Sequence, residues 1–165
     1  MISIHIYGQP IAWKRPAHKV IGGRVIVFDT QKKEKDQARW QIKSFYPGDI
    51  LITCPVAIKM NFYFKVPASE SKVRRREKLS GASNHIYKPD IDNLLKFYLD
   101  CLSGHVLVDD CIVFDICGSK HYAEHEGIKI DIHPQNLYPT QPTSTLLDDL
   151  GLNPNFFDEK DDEDN

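Results

Sequence analysis

The stretch KPDIDNLLKFYLDCL, residues 88–102, combines helical periodicity with a cluster of charge at one end. Pro89 disfavours helical geometry at Lys88 and opens a predicted helix whose first turn holds Asp90 and Asp92. Leu95, Leu99 and Leu102 recur at i, i+4 and i+7, and Leu94, Tyr98 and Cys101 widen the apolar stripe. A second acidic pair, Asp109-Asp110, follows in VDDC at the start of a predicted strand, where a short loop can return it to the helix mouth. These acids have two readings. As helix punctuation, first-turn carboxylates offset the helix dipole by about 0.3–1 kcal/mol each, with Asp92, Lys96 and Asp100 forming an exposed ion-pair ladder. As chemistry, carboxylates gathered beside Asn93 and Lys96 repel one another unless a cation bridges them, and a hard divalent ion such as Mg²⁺ is the natural bridge. An inward-pointing Lys96 would then offset charge developing on a phosphate.

Working outward, ISIHIY alternates apolar and polar residues as a strand over 2–7, stopped by Gly8 and Pro10. AWKRPAHKV reads as a basic loop, and Gly22-Gly23 turns the chain into a strand at 24–28. Asp29 or Thr30 is placed to cap a helix reaching residue 45, with Ala38, Ile42 and Phe45 on its apolar side. The segment from Val56 to Val66 is the strongest strand, and ASESKVRRREKLSG reads as a helix stopped by Gly81. Closing strands are expected near 112–118 and 127–132. The fold class is α+β: one domain over residues 1–138 with a mixed or antiparallel sheet packed by helices, then an acidic, disordered tail over 139–165.

A chain of 165 residues with 41% apolar content buries a core without disulfides. Cys54, Cys101, Cys111 and Cys117 lack zinc-site spacing, and their apolar neighbours predict buried thiols. No apolar run is long enough for a leader or a membrane span, so a cytoplasmic protein is expected. From Pro142 onward eight acids face one lysine, a net −7; with −2 overall, residues 1–141 carry +5. A basic body holding a few carboxylates at one point suits a polyanionic partner.

The segments KPDIDNLLKFYLDCL and VDDCIVFDICGSK resemble the signature of the RusA-type Holliday junction resolvases, a K/R-P-D-x-D-N-L-x-K helix followed by a D-D pair leading into a strand. GQPIAWKRP is similar to the G-x-P-x-x-x-R-P opening of that family, so the resemblance spans residues 2–132. It implies a RusA-like homodimeric fold and an endonuclease that makes paired, symmetric nicks in four-way or otherwise branched DNA. The family's metal-binding aspartates fall on Asp90, Asp92 and Asp110, with Asp109 as second choice, and its essential lysine falls on Lys96. The implied cofactor is Mg²⁺, with Mn²⁺ as a substitute, and the implied setting is DNA recombination and repair, often in phage or prophage genomes. Cys111 departs from the small polar residue more usual there, and the acidic tail has no counterpart in short family members.

Beside that resemblance, Lys14, Arg15, His18, Lys19, Arg74, Arg75, Arg76 and Lys120 are candidates for phosphate contacts, each with the alternative of a solvated surface charge. Trp13 has the alternatives of stacking on a junction base or packing beside the first strand. The histidines, His121 and His125 included, show no metal-site spacing. The tail reads as a solubilising extension; the alternatives are competition with DNA for the basic surface, or docking of Phe156-Phe157 on a replication or recombination protein. Two rival functions remain: a non-catalytic junction-binding protein of the same fold, and a D-x-D sugar-nucleotide transferase, disfavoured because no nucleotide-binding βαβ start is present.

Overall fold

The alternating segment from Val56 to Lys65 lies inside the main sheet of the computed structural model, which describes residues 1–48 and 50–135. Its elements are β1 (Ile2–Tyr7), β2 (Ala17–Ile21), β3 (Arg24–Phe28), α1 (Lys32–Phe45), β4 (Val56–Lys65), α2 (Lys72–Leu79), α3 (Ile91–Leu102), β5 (Val113–Ala123) and β6 (Gly127–Pro134). Strands β1, β6, β4 and β5 form one mixed sheet in that order, with β4 and β5 parallel and the other pairs antiparallel. Parallel neighbours need a long crossover, and here α2 and α3 supply it. The expected α+β fold with a helix-packed mixed sheet is therefore present.

The period of two in β4 decides which face is core. Val56, Ile58, Met60, Phe62 and Phe64 are buried, opposite Ile128, Ile130 and Ile132 of β6, while Ile4 and Ile6 extend the layer across β1. The alternate residues make a polar face, where Ser3 Oγ donates to Asp131 Oδ1 at 2.6 Å, Lys129 pairs with Asp131 at 3.0 Å, and Ser119 Oγ donates to Asn61 Oδ1 at 2.8 Å. Against the apolar face α1 packs Ala38 and Ile42, and α3 packs Leu94, Phe97, Tyr98, Cys101 and Leu102. The stripe of α3 is thus centred on Phe97 and Tyr98, while Leu95 and Leu99 are only partly buried. Gly118 seats the helix: a Cβ there would stand 3.0 Å from Leu95 Cδ2.

Several expected boundaries move. Residues 17–21 are not loop but β2, paired with β3 as a hairpin turned by Gly22 and Gly23 at φ 58° and 77°. Both faces of this hairpin are apolar and open, with Val20, Val25 and Val27 more than half exposed, which breaks the alternation a sequence reading uses. The cap of α1 is Gln31, whose side chain makes no capping bond; Asp29 instead accepts from the Gln31 N–H at 2.8 Å and pairs with Lys35 at 3.0 Å, and these two contacts, the amide first, hold its carboxyl below the usual range. The Asp109-Asp110 pair does not begin a strand: Asp110–Ile112 is a single 3₁₀ turn ahead of β5. Of the thiols only Cys101 is buried, its pKa pushed up to about 12 by burial, while Cys111 and Cys117 are exposed. The tail over 139–165, with Phe156 and Phe157, lies outside the described residues.

Candidate active site

Asp90 occupies the N-cap position of α3 in extended geometry, yet its side chain makes no capping bond. Elsewhere capping side chains are used: Ser71 accepts from the Arg74 N–H at the start of α2, and Asp109 accepts from the Cys111 N–H at 2.9 Å. Asp92 receives only a 3.5 Å contact from the amide of Asn93. The ion-pair ladder is absent as well, because Asp100 is taken by Lys35 of α1 at 3.1 Å, and Lys96 Nζ lies 3.9 Å above the Trp13 ring. Asp90 and Asp92 are thus exposed carboxylates without an ion-pair partner among the described residues. Such a charge at a helix start contributes at most about 1 kcal/mol through the dipole.

The turn Asp110–Ile112 packs against α3. Its two acids differ. Asp109 is committed to the turn, and the Cys111 amide holds its carboxyl below the ordinary range, whereas Asp110 has no such bond. Among the described residues no three carboxylate, imidazole or thiol groups stand together as a metal cluster, so the bare chain does not gather Asp90, Asp92 and Asp110 into a coordination shell. As donors, exposed carboxylate oxygens with no internal cation fit a hard divalent ion.

The basic loop after β1 is fastened to this helix mouth by contacts that patterning does not reveal. The Ile11 N–H donates to Tyr98 Oη at 3.2 Å and the Trp13 N–H donates to the Asn93 carbonyl at 2.8 Å. Gln31, 2% exposed, accepts from the Lys14 N–H at 2.6 Å and donates to the Ala12 carbonyl at 3.0 Å. Burial raises the pKa of Tyr98, which keeps the phenol protonated. Trp13 is half-buried against the core, and Lys14, Arg15, His18 and Lys19 are exposed beyond it. Gln31→Ala is expected to cost about 1–3 kcal/mol in urea denaturation, because two backbone groups of the loop lose their partner; an unchanged midpoint would mean the loop is held without it.

Lys120 is placed differently from an open phosphate ligand. Its Nζ donates to the carbonyls of Tyr87 at 2.7 Å and Pro89 at 3.0 Å, tying β5 to the segment that leads into Asp90. Arg74 and Arg76 are exposed on α2, and Arg75 is partly taken by Glu124 at 3.8 Å. His121 lies on β5, its Nε2 2.8 Å from Ser119 Oγ.

The mixed sheet carries an acid-lipped helix beside a basic loop, and the comparison with known families gives the class. Residues 7–133 match the family described as endodeoxyribonuclease RusA, and the chain belongs to it. Among its relatives is the uncharacterized protein YqaN of Bacillus subtilis (strain 168), 31% identical over 134 residues that cover 79% of this chain and 94% of the relative. Family membership indicates an endodeoxyribonuclease with DNA as its partner. No helix of the described residues is long and apolar enough to cross a membrane.

Proposed function

We propose that this protein is a Mg²⁺-dependent, structure-selective endonuclease that resolves four-way or branched DNA by paired symmetric nicks, in recombination and repair. The observation that carries the reading is that Asp90 and Asp92 are exposed at the mouth of α3 with neither a capping bond nor an ion-pair partner among the described residues. Charges a fold does not use are candidates for chemistry. Asp90, Asp92 and Asp110 would hold Mg²⁺, with Mn²⁺ able to substitute; Asp109, occupied by its turn, is the weaker choice. A hard divalent ion, when bound there, supplies Lewis acidity toward phosphoryl oxygens.

The remaining steps belong to the chain's own residues. Lys14, Arg15, Lys19, Arg74 and Arg76 seat the phosphate backbone, each adding to the salt dependence of binding. Trp13 holds the Lys96 ammonium at the helix mouth, where it offsets charge developing on the phosphate as water attacks in line, leaving 5′-phosphate and 3′-hydroxyl ends. Two symmetric nicks call for two sites related by a twofold axis, so the working form is a homodimer. A cytoplasmic setting and a phage or prophage origin fit this activity.

The test incubates the full chain with a labelled four-way junction and with the matching linear duplex, in Mg²⁺ and in EDTA. Paired nicks in the junction alone, and only with Mg²⁺, are the expected result. Tight junction binding with no product under any divalent ion would overturn the reading in favour of a junction-binding protein whose acids do no chemistry.

A further inference from the structure

Immediately upstream of Asp90, the loop carrying His85, Tyr87, Lys88 and Pro89 faces the ends of β4 and β5 across a cleft of about 470 Å³. That volume lies in the range of small-molecule sites, about 300–1,000 Å³. Its walls are aromatic. The His85 ring is stacked on Phe64 with centroids 4.1 Å apart and planes 17° from parallel, Tyr122 stands 4.9 Å from it, and Tyr87 meets it edge-on at 6.2 Å. Lys78 lies 4.5 Å over the Tyr122 ring and is bonded to Glu70, which fixes the far wall.

Three features separate this cleft from a gap in packing. Tyr87 is 67% exposed although it is a large aromatic residue at the rim, while its backbone carbonyl is held by Lys120. His85 Nδ1 is buried without a hydrogen-bond partner among the described residues, a cost that ordinary core packing avoids. Burial first, and then the charge of Lys120, lowers the His85 pKa, so the ring is a neutral, flat platform at pH 7. The lining is mixed in charge: Glu126 opposes a phosphate inside the cleft, while Lys65 and Lys88, which also line it, can pair with the phosphates that flank an inserted base. What remains for the interior is an uncharged, planar group.

We propose that the cleft formed by Phe64, His85, Tyr87 and Tyr122 receives one unpaired nucleobase of the DNA that is cut beside Asp90 and Asp92. A branch point offers unstacked bases that a continuous duplex does not, so a base pocket adjoining the acids gives the protein a means of telling the two apart. The inference rests on the nuclease reading for its ligand, but its test is binding, not cutting.

Fluorescence anisotropy of the full chain, without divalent ions, is measured on a four-way junction and on a series carrying one abasic position at a time around the branch. The wild-type protein is expected to lose about 5- to 150-fold in affinity at one position, the span of a lost base–aromatic stack. Tyr87→Ala should bind the intact junction correspondingly more weakly and be indifferent to that abasic position, while Tyr87→Phe should restore the discrimination. An exposed side chain makes Tyr87→Ala safe for folding, which circular dichroism of the variant is used to check. Additive penalties in the double change, or no sensitive abasic position, would overturn the base pocket. Binding with full discrimination but no metal-dependent cutting would overturn only the nuclease reading, and a wild-type protein that binds no DNA would overturn both.

Discussion

Asp92→Asn is expected to lower cutting of a four-way junction by at least about a thousand-fold while leaving junction affinity within about five-fold of wild type. The first figure follows from removing one anionic ligand from a hard-cation site, where several kcal/mol of transition-state charge stabilisation are at stake. The second follows from exposure: Asp92 has no ion-pair partner among the described residues, and a surface charge contributes at most about 1 kcal/mol to a neighbouring phosphate contact. Its sign favours slightly tighter binding, since a negative charge facing DNA is lost. The fold should survive, because Asn keeps the shape and only a first-turn dipole contribution disappears. Three companions sharpen the result. Asp100→Asn breaks the contact with Lys35 and should cost stability but not cutting. Asp109→Ala removes the acceptor that holds the Cys111 amide and should do the same, whereas Asp110→Asn should behave like Asp92→Asn. An Asp92→Asn protein with full activity would return these acids to helix punctuation.

Much of this arrangement was legible in the chain, and the reasons for the exceptions are specific. Strand β4 was readable because it is buried along one regular stripe, helix α3 because it keeps a helical apolar period even though its buried arc is wider than the leucine line, and residues 24–28 because Gly22-Gly23 announces a turn. Strand β2 was not, since AHKVI packs neither face on the core and its exposed valine and isoleucine imitate no period. The D-x-D at the mouth of α3 could be read as a site or as a cap with equal force, because both uses place acids at the same positions. The facts that bear on the choice are three-dimensional: Lys35 arrives from α1 to take Asp100, and Trp13 arrives from the first loop to take Lys96. Gln31 and Tyr98 gave no signal of their role, because a buried amide and phenol holding loop backbone depend on contacts 17 and 87 residues away in sequence. Lys120 was legible as a charge but not as a brace, since its acceptors are backbone carbonyls that every residue carries.

Phe97→Ala is expected to be the most damaging single truncation in α3, costing about 3–5 kcal/mol, with Leu95→Ala clearly milder. Heptad-like spacing puts Leu95, Leu99 and Leu102 on one line and passes over Phe97, but the helix packs against both the sheet and α1, so its buried arc is wider than one line. Phe97 is fully buried and meets Tyr98 edge-to-face with centroids 5.0 Å apart, and Tyr98 in turn packs on Phe62 of β4 at 5.8 Å. Leu95 only partly contacts the core and rests over Gly118, where water can follow a shortened side chain. Removing the Phe97 ring therefore leaves a sealed cavity that the surroundings close incompletely, whereas removing Leu95 opens a surface notch. The consequence reaches the site, because Tyr98 Oη is the acceptor for the Ile11 N–H that anchors the basic loop. Thermal denaturation with Asp92→Asn as a reference separates the two kinds of effect: Phe97→Ala should lower the midpoint by roughly 10–20 °C, at about 3–5 °C per kcal/mol for a domain of this size, and reduce DNA binding as the loop loosens. A Leu95→Ala protein less stable than Phe97→Ala would mean that the leucine line, and not the aromatic pair, carries the helix on the sheet.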